Sequence, residues 1–221
     1  MRKINKKCNK ATKYKAWLDT KKGKHPKYSS SSFRFYRDNK ANLMACQEGL
    51  CAYTEIKLDD SDYFKQPAVW ENGVYIGDTQ IQGQLDHFDF LLKKRRKGWE
   101  WSNFFLCHSD INNAKLDQPV YDFMKPDGQN YSPYKYLDYN YRLHKFTASP
   151  KIRDLNKRAQ VEDMIKILGL NYGSIQRLRK KYLNDIFIDF EKDTKGIDEL
   201  SVDMFFTAFE IIRTKFLAHI I

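Results

Sequence analysis

The stretch from Gln84 to Lys115 constrains this chain more than any other. Gln84 to Phe90 reads as a strand and Lys93-Lys94-Arg95-Arg96-Lys97-Gly98 as a basic loop. Trp99 to Leu106 reads as extended or turn-like. Ile111 to Lys115 reads as the start of a helix, with Asp110 placed to cap it. A strand, a loop and a helix therefore follow in order. Along them sit Asp86-His87, then Asn103, then Asn112-Asn113-Ala114-Lys115. A carboxylate beside a histidine can hold a hard cation while the imidazole activates water.

Charge is unevenly distributed. The formal net charge is +11, yet residues 1–40 carry 14 Lys/Arg and 2 Asp/Glu, so the rest is close to neutral. A basic arm on a neutral body points to a polyanionic partner, and a solvated, partly disordered tail is the alternative. Hydrophobic content of 42% and aromatic content of 15% argue for a folded body. The N-terminus has no apolar stretch of a signal peptide, and no run of about 18 apolar residues spans a membrane. A cytoplasmic protein without a membrane partner is expected. Cys8, Cys46, Cys51 and Cys107 are then expected as reduced thiols.

The serines at 29–32 read as a flexible boundary, and Trp17 and Phe33-Arg34-Phe35-Tyr36 as docking points of the arm. A short helix is expected from Lys40 to Gln47, stopped at Gly49, followed by a strand from Cys51 to Ile56. Asn72-Gly73 signals a hairpin between Val69-Trp70 and Val74-Tyr75-Ile76. Residues 118–150 read as short strands and turns. Helical spacing begins at Asp154 and ends at Gly169-Leu170-Asn171; further helices are expected over Ser174–Phe190 and Leu200–Ile221. The expected fold class is α+β: a basic N-terminal arm over residues 1–40, a core over 41–150, and a helical C-terminal subdomain over 151–221.

Asn112 and Lys115 share one face of a helix. If that face packs beside the strand, Asp86 and Asn112 offer two oxygens to one cation, which with waters and a phosphate suits Mg²⁺ or Mn²⁺. These are the parts needed to hydrolyse a phosphodiester.

The pattern Leu85-Asp86-His87-Phe88, Trp101-Ser102-Asn103 and Asn112-Asn113-Ala114-Lys115 resembles the HNH nuclease family. The resemblance covers about residues 45–117. It implies a ββα-metal finger embedded in a mixed domain, with His87 as general base, Asp86 and Asn112 as metal ligands, and Asn103 orienting the loop that holds the histidine. Lys115 would lie near a phosphate or cap the helix site. Lys93, Lys94, Arg95, Arg96 and Lys97 would track the nucleic-acid backbone, DNA in preference to RNA such as tRNA. Gln47-Glu48-Gly49-Leu50-Cys51-Ala52-Tyr53 and Ile167-Leu168-Gly169-Leu170-Asn171 are further points of similarity to small HNH subunits of Septu-type and retron anti-phage systems. That subgroup implies an ATPase partner in a defence complex. Its members often carry two Cys-x-x-Cys pairs holding structural zinc. Here those positions read Cys51-Ala52-Tyr53-Thr54 and His108-Ser109-Asp110-Ile111, so no structural zinc is expected. Packing, for example of Ile111 against Tyr53, would replace it, unless a shifted site uses Cys107 or Cys46.

Taken singly, an Asp-His pair is an ordinary surface pair and Asn-Asn-Ala-Lys an ordinary helix start. The ordered joint occurrence carries the weight. A catalytically inactive module that binds nucleic acid or an ATPase is the alternative.

Overall fold

The computed structural model describes residues 1–7, 10–21, 24–29, 35–192 and 195–218, with the side chains of 189 and 191 left out. Cys8, Ser30 to Ser32, Phe33 and Arg34 lie outside the described residues, and so do the last three positions of the expected third helix. The chain is a mixed α+β protein whose strands form small antiparallel two-stranded sheets. It divides into two compact units. One comprises Ile4–Ala52 and Lys57–Val120; the other comprises Met1–Lys3, Tyr53–Ile56 and Tyr121–Ile221. The bounds expected at residues 40 and 150 do not coincide with this division.

In the first unit the basic N-terminal segment is not a solvated tail. Helix α1 (Thr12–Asp19) buries Tyr14, whose hydroxyl donates to the Trp99 carbonyl, and Trp17 meets Trp99 edge-on at 6.1 Å. Its lysines lie on the surface while its aromatics enter the core, so one amphipathic segment satisfies both demands. Helix α2 (Tyr36–Cys46) begins earlier than expected and closes with paired reverse bonds: Gly49 N–H to Met44 O at 3.0 Å and Glu48 N–H to Ala45 O at 3.4 Å. Glu48 and Gly49 both take positive φ, 55° and 75°. The expected strand over Cys51–Ile56 is absent: these residues form turns, and a single bridge joins Leu50 to Lys57.

Helix α3 (Ser61–Lys65) follows, capped by the Asp60 side chain. Strands β1 (Trp70–Glu71) and β2 (Val74–Tyr75) form the expected hairpin, with Asn72 at φ 48° and Gly73 at φ 75°. Strand β3 (Gln84–His87) is shorter than expected. The basic stretch is not all loop, since helix α4 (Leu91–Lys94) occupies its start. A 3-10 turn over Trp101–Asn103 leads into β4 (Phe104–Cys107), which pairs antiparallel with β3 and is fully buried. The outer edge of β4 is sealed by an amide side chain. Gln47 Oε1 accepts from Leu106 N–H and its Nε2 donates to Leu106 O, both at 2.8 Å. Helix α5 (Ser109–Lys115) then packs against β3. Its cap is His108, whose Nδ1 accepts from Asp110 N–H; the expected cap, Asp110, sits in the first turn.

In the second unit helix α6 (Pro133–Tyr136) leads into strands β5 (Leu137–Asn140) and β6 (Lys145–Ala148), a hairpin. Asp154 caps α7 (Leu155–Ile167), accepting from Asn156 and Lys157 N–H. Gly169, at φ 65°, ends that helix where expected. Helix α8 (Gly173–Glu191) matches its expected span closely, whereas α9 (Phe206–Leu217) starts later than expected. The fully buried Arg179 donates to Leu170 O, His144 O and the Tyr139 hydroxyl, tying α8 to the hairpin. Met1 is held here too, its ammonium 2.8 Å from buried Glu55. Among the described residues no helix is long and apolar enough to cross a membrane.

Gly49 predicts its own test. A Cβ there would meet the Asp59 carbonyl oxygen, and the φ of 75° disfavours any L side chain. Gly49→Ala is expected to destabilise the first unit by about 2 kcal/mol or more, read as a lower denaturation midpoint at unchanged slope.

Candidate functional site

Strand β3 ends in two polar residues that a buried strand cannot carry without partners. Asp86 is 4% exposed and His87 3%. Their side chains leave the strand on opposite faces, as its period demands. Asp86 meets α5: both of its carboxylate oxygens lie near the Lys115 ammonium, at 3.3 and 3.2 Å. Lys115, 0% exposed, also donates to the His87 carbonyl at 2.8 Å. One turn earlier on α5, Asn112 donates from its amide nitrogen to Gln84 Oε1 at 2.9 Å, which leaves the amide oxygen as an acceptor. Asn112 and Lys115 thus share the face that packs on β3, as their spacing predicts.

His87 meets aromatic rings, Tyr28 edge-on at 4.4 Å and Phe104 at 4.9 Å. Its Nε2 lies 2.7 Å from the Gly98 carbonyl. A carbonyl can only accept, so Nε2 carries the hydrogen and, in the neutral ring, Nδ1 is the bare acceptor. Burial pushes the imidazole down to a pKa of about 3, assisted by the Lys93 and Lys115 charges. The ring is therefore a neutral base across the physiological range.

Asn103 acts on the residues that follow His87. Its Oδ1 accepts from Asp89 N–H and its Nδ2 donates to Asp89 O, both at 2.8 Å, while its own carbonyl accepts from Phe88 N–H at 2.9 Å. It is 1% exposed, and it orients the turn leaving β3 without lining the cleft residues' pocket.

Asp86, His87, Asn112 and Lys93 line one cleft of about 440 Å³, with Asp117, Asn113 and the apolar Leu85, Phe90 and Leu116. Lys93 to Lys97 are all exposed, and the run continues from the cleft rim over α4 and the turn behind it. That turn is pinned by Lys97 N–H to Leu92 O at 2.8 Å and by His25 N–H to Arg96 O at 2.7 Å. Lys115 is not on this surface. The expectation that it contacts nucleic acid meets a buried ammonium already engaged by Asp86, because the helix face that carries it is the packed one.

Sequence reasoning missed Tyr28 and the Gly98 carbonyl, both of which touch His87. Neither has a sequence signal: one lies far upstream in a basic segment and the other is a backbone group.

At the positions where the HNH resemblance would put zinc ligands, Cys51 Sγ accepts from His108 N–H at 3.4 Å. The Cys107 thiol is held well above its usual range by burial, with Asp86 and Cys51 adding to the effect. Among the described residues no group of three or more His, Cys, Asp or Glu side chains is arranged to hold a metal ion.

No known protein family matches the chain, and no curated protein matches it.

His87 carries a pH prediction. Its folded pKa, about 3, lies below the unfolded value near 6.5, so its neutral state adds stability that is complete above about pH 6.5. That contribution is lost as pH falls from there towards 3. His25 and His144, both also lowered by burial, add with the same sign. Unfolding free energies from urea titrations are expected to fall between about pH 7 and pH 4 by an amount of order a few kcal/mol, and less steeply in His87→Gln. Equal slopes in the two proteins would show that His87 is not the titrating group.

Proposed function

We propose that this chain is a metal-dependent HNH endonuclease that hydrolyses nucleic-acid phosphodiesters, DNA in preference to RNA. The observation that carries the reading is the convergence on one cleft of Asp86, Asn112 and a histidine whose Nε2 is committed to a carbonyl, leaving Nδ1 to accept a proton. Strand, strand and helix follow in the order that the HNH resemblance implies. Asn103 grips the turn after His87, which fits the positioning role proposed for it.

The donor set fits a hard divalent cation. The Asp86 carboxylate and the Asn112 amide oxygen are two oxygens on an open cleft, and the Lys115 ammonium stands beside the carboxylate as a cation already accommodated there. Mg²⁺ or Mn²⁺ held by these two residues would neutralise charge on the phosphate and on the departing 3′ oxygen. His87 Nδ1 takes the proton of a water as that water attacks phosphorus in line. The Gly98 carbonyl holds the ring in the tautomer this requires. A phosphate in the cleft raises the histidine's pKa by adding negative charge, countering Lys93 and Lys115. The P–O3′ bond breaks as the water oxygen bonds to phosphorus, the leaving oxygen takes a proton from solvent, and the products carry 5′-phosphate and 3′-hydroxyl ends. Lys94, Arg95, Arg96 and Lys97 extend from the cleft rim as backbone contacts. The resemblance to small HNH subunits of anti-phage systems supports an ATPase as the partner that restrains or activates the enzyme.

A second reading has one observation in its favour. The Lys115–Asp86 pair neutralises the carboxylate that a metal needs, as in a finger that only binds nucleic acid.

Cleavage of plasmid DNA and total tRNA with Mg²⁺ or Mn²⁺ separates the two. His87→Ala is expected to cut roughly 10² to 10⁴ times more slowly while still binding substrate. Cleavage at the wild-type rate would overturn the assignment. Binding without cleavage, in wild type and variant, both alone and with a co-purified ATPase, would establish the second reading.

Replacing Lys94, Arg95, Arg96 and Lys97 with Gln is expected to weaken binding and to flatten its salt dependence by about 0.9 in log–log slope per lost duplex contact. An unchanged slope would mean that the run is merely solvated.

A further inference from the structure

Lys115 is the group that the proposed mechanism leaves without a task. It is a fully buried cation in contact with both oxygens of the proposed metal ligand. It also holds the carbonyl of the proposed base. An exposed phosphate-binding lysine would need none of this. The remaining charges at the cleft are Asp117 and Lys93 on its lining, with His87 neutral and Asn112 uncharged. Two carboxylates and two ammonium groups therefore balance, and a divalent cation entering alone finds no net attraction.

We propose that Lys115 makes metal binding at Asp86 and Asn112 conditional on nucleic acid, so that metal and phosphodiester bind synergistically and neither occupies the cleft tightly alone. The inference rests on the nuclease reading of the site. The physical basis is charge balance. A phosphodiester brings the negative charge that Lys115 has cancelled on Asp86, and the phosphate oxygen completes a ligand set that has only two protein donors. Coupling of this kind is reciprocal, so the metal tightens nucleic-acid binding by the factor by which nucleic acid tightens metal binding. The cleft of a nuclease that meets cellular metal continuously is thereby kept unloaded until a substrate arrives.

The test measures Mn²⁺ binding to the 221-residue chain carrying His87→Ala by the loss of the free-ion electron paramagnetic resonance signal. It is run without nucleic acid, with a DNA duplex and with tRNA. The same measurement on His87→Ala/Asp86→Asn subtracts Mn²⁺ held by the nucleic acid itself. The expected result is weak binding alone and binding tighter by about tenfold or more with the substrate polymer. Adding Lys115→Met is expected to tighten Mn²⁺ binding without nucleic acid and to shrink the coupling several-fold. Equal Mn²⁺ affinity with and without nucleic acid, at a site lost in Asp86→Asn, would overturn the role of Lys115 and leave the nuclease reading standing. No Asp86-dependent Mn²⁺ in any condition would overturn the metal site, and the inference with it. Should Lys115→Met fail to fold, the comparison with and without nucleic acid in the lysine-containing protein decides alone.

Discussion

The Lys115 ammonium holds three oxygens at once, two on Asp86 and the backbone carbonyl of His87. Most of the site's geometry depends on this contact. It docks the last turn of α5 onto the end of β3, which fixes where Asn112 lies one turn earlier. It also gives the buried Asp86 carboxylate a partner of opposite charge. Removing one partner of such a buried pair costs about 3–5 kcal/mol, because the other is left charged and unpaired. The pair therefore specifies an arrangement more than it adds stability, and the charge it cancels is the one a metal would use.

Around this pair, amide side chains do work that longer strands do elsewhere. Gln47 closes the free edge of β4 with two bonds to Leu106, and Asn103 closes a ring with Asp89 directly after His87. In the second unit Asn171 does the same for Phe146, accepting from its N–H and donating to its carbonyl. An amide offers both a donor and an acceptor at the spacing of a peptide group, so it can terminate a two-stranded sheet without a third strand. This is how the edge groups of Leu106 and Phe146 are satisfied without a third strand.

The imidazole is built for the neutral state. Its surroundings are Tyr28, Phe104 and a backbone carbonyl, with two lysine charges near enough to oppose protonation. A carboxylate orienting the ring would have raised its basicity; a carbonyl fixes the tautomer with less effect on the charge. The ring is thus neutral at every physiological pH, and negative charge entering the cleft would raise its basicity.

What was legible in the sequence was local. The turn at Asn72-Gly73, the onset of helical spacing at Asp154, the stop at Gly169 and the shared helix face of Asn112 and Lys115 all follow from the residues' own backbone preferences and spacing. So do the strand that carries Asp86-His87 and the helix that carries Asn112, whereas the second strand, β4, reads only as extended or turn-like. Tertiary structure decided the rest. It turned the expected strand at Cys51–Ile56 into turns, with Ala52 N–H bonding Leu106 O at the β4 edge that Gln47 shares. The basic N-terminal segment became core, because Tyr14 and Trp17 found partners more than eighty residues away in Trp99. Lys115 was buried and His87 tied to Gly98 for the same reason. A side chain's charge and reach are written in its identity, but the group that satisfies it is chosen only when distant segments are packed together.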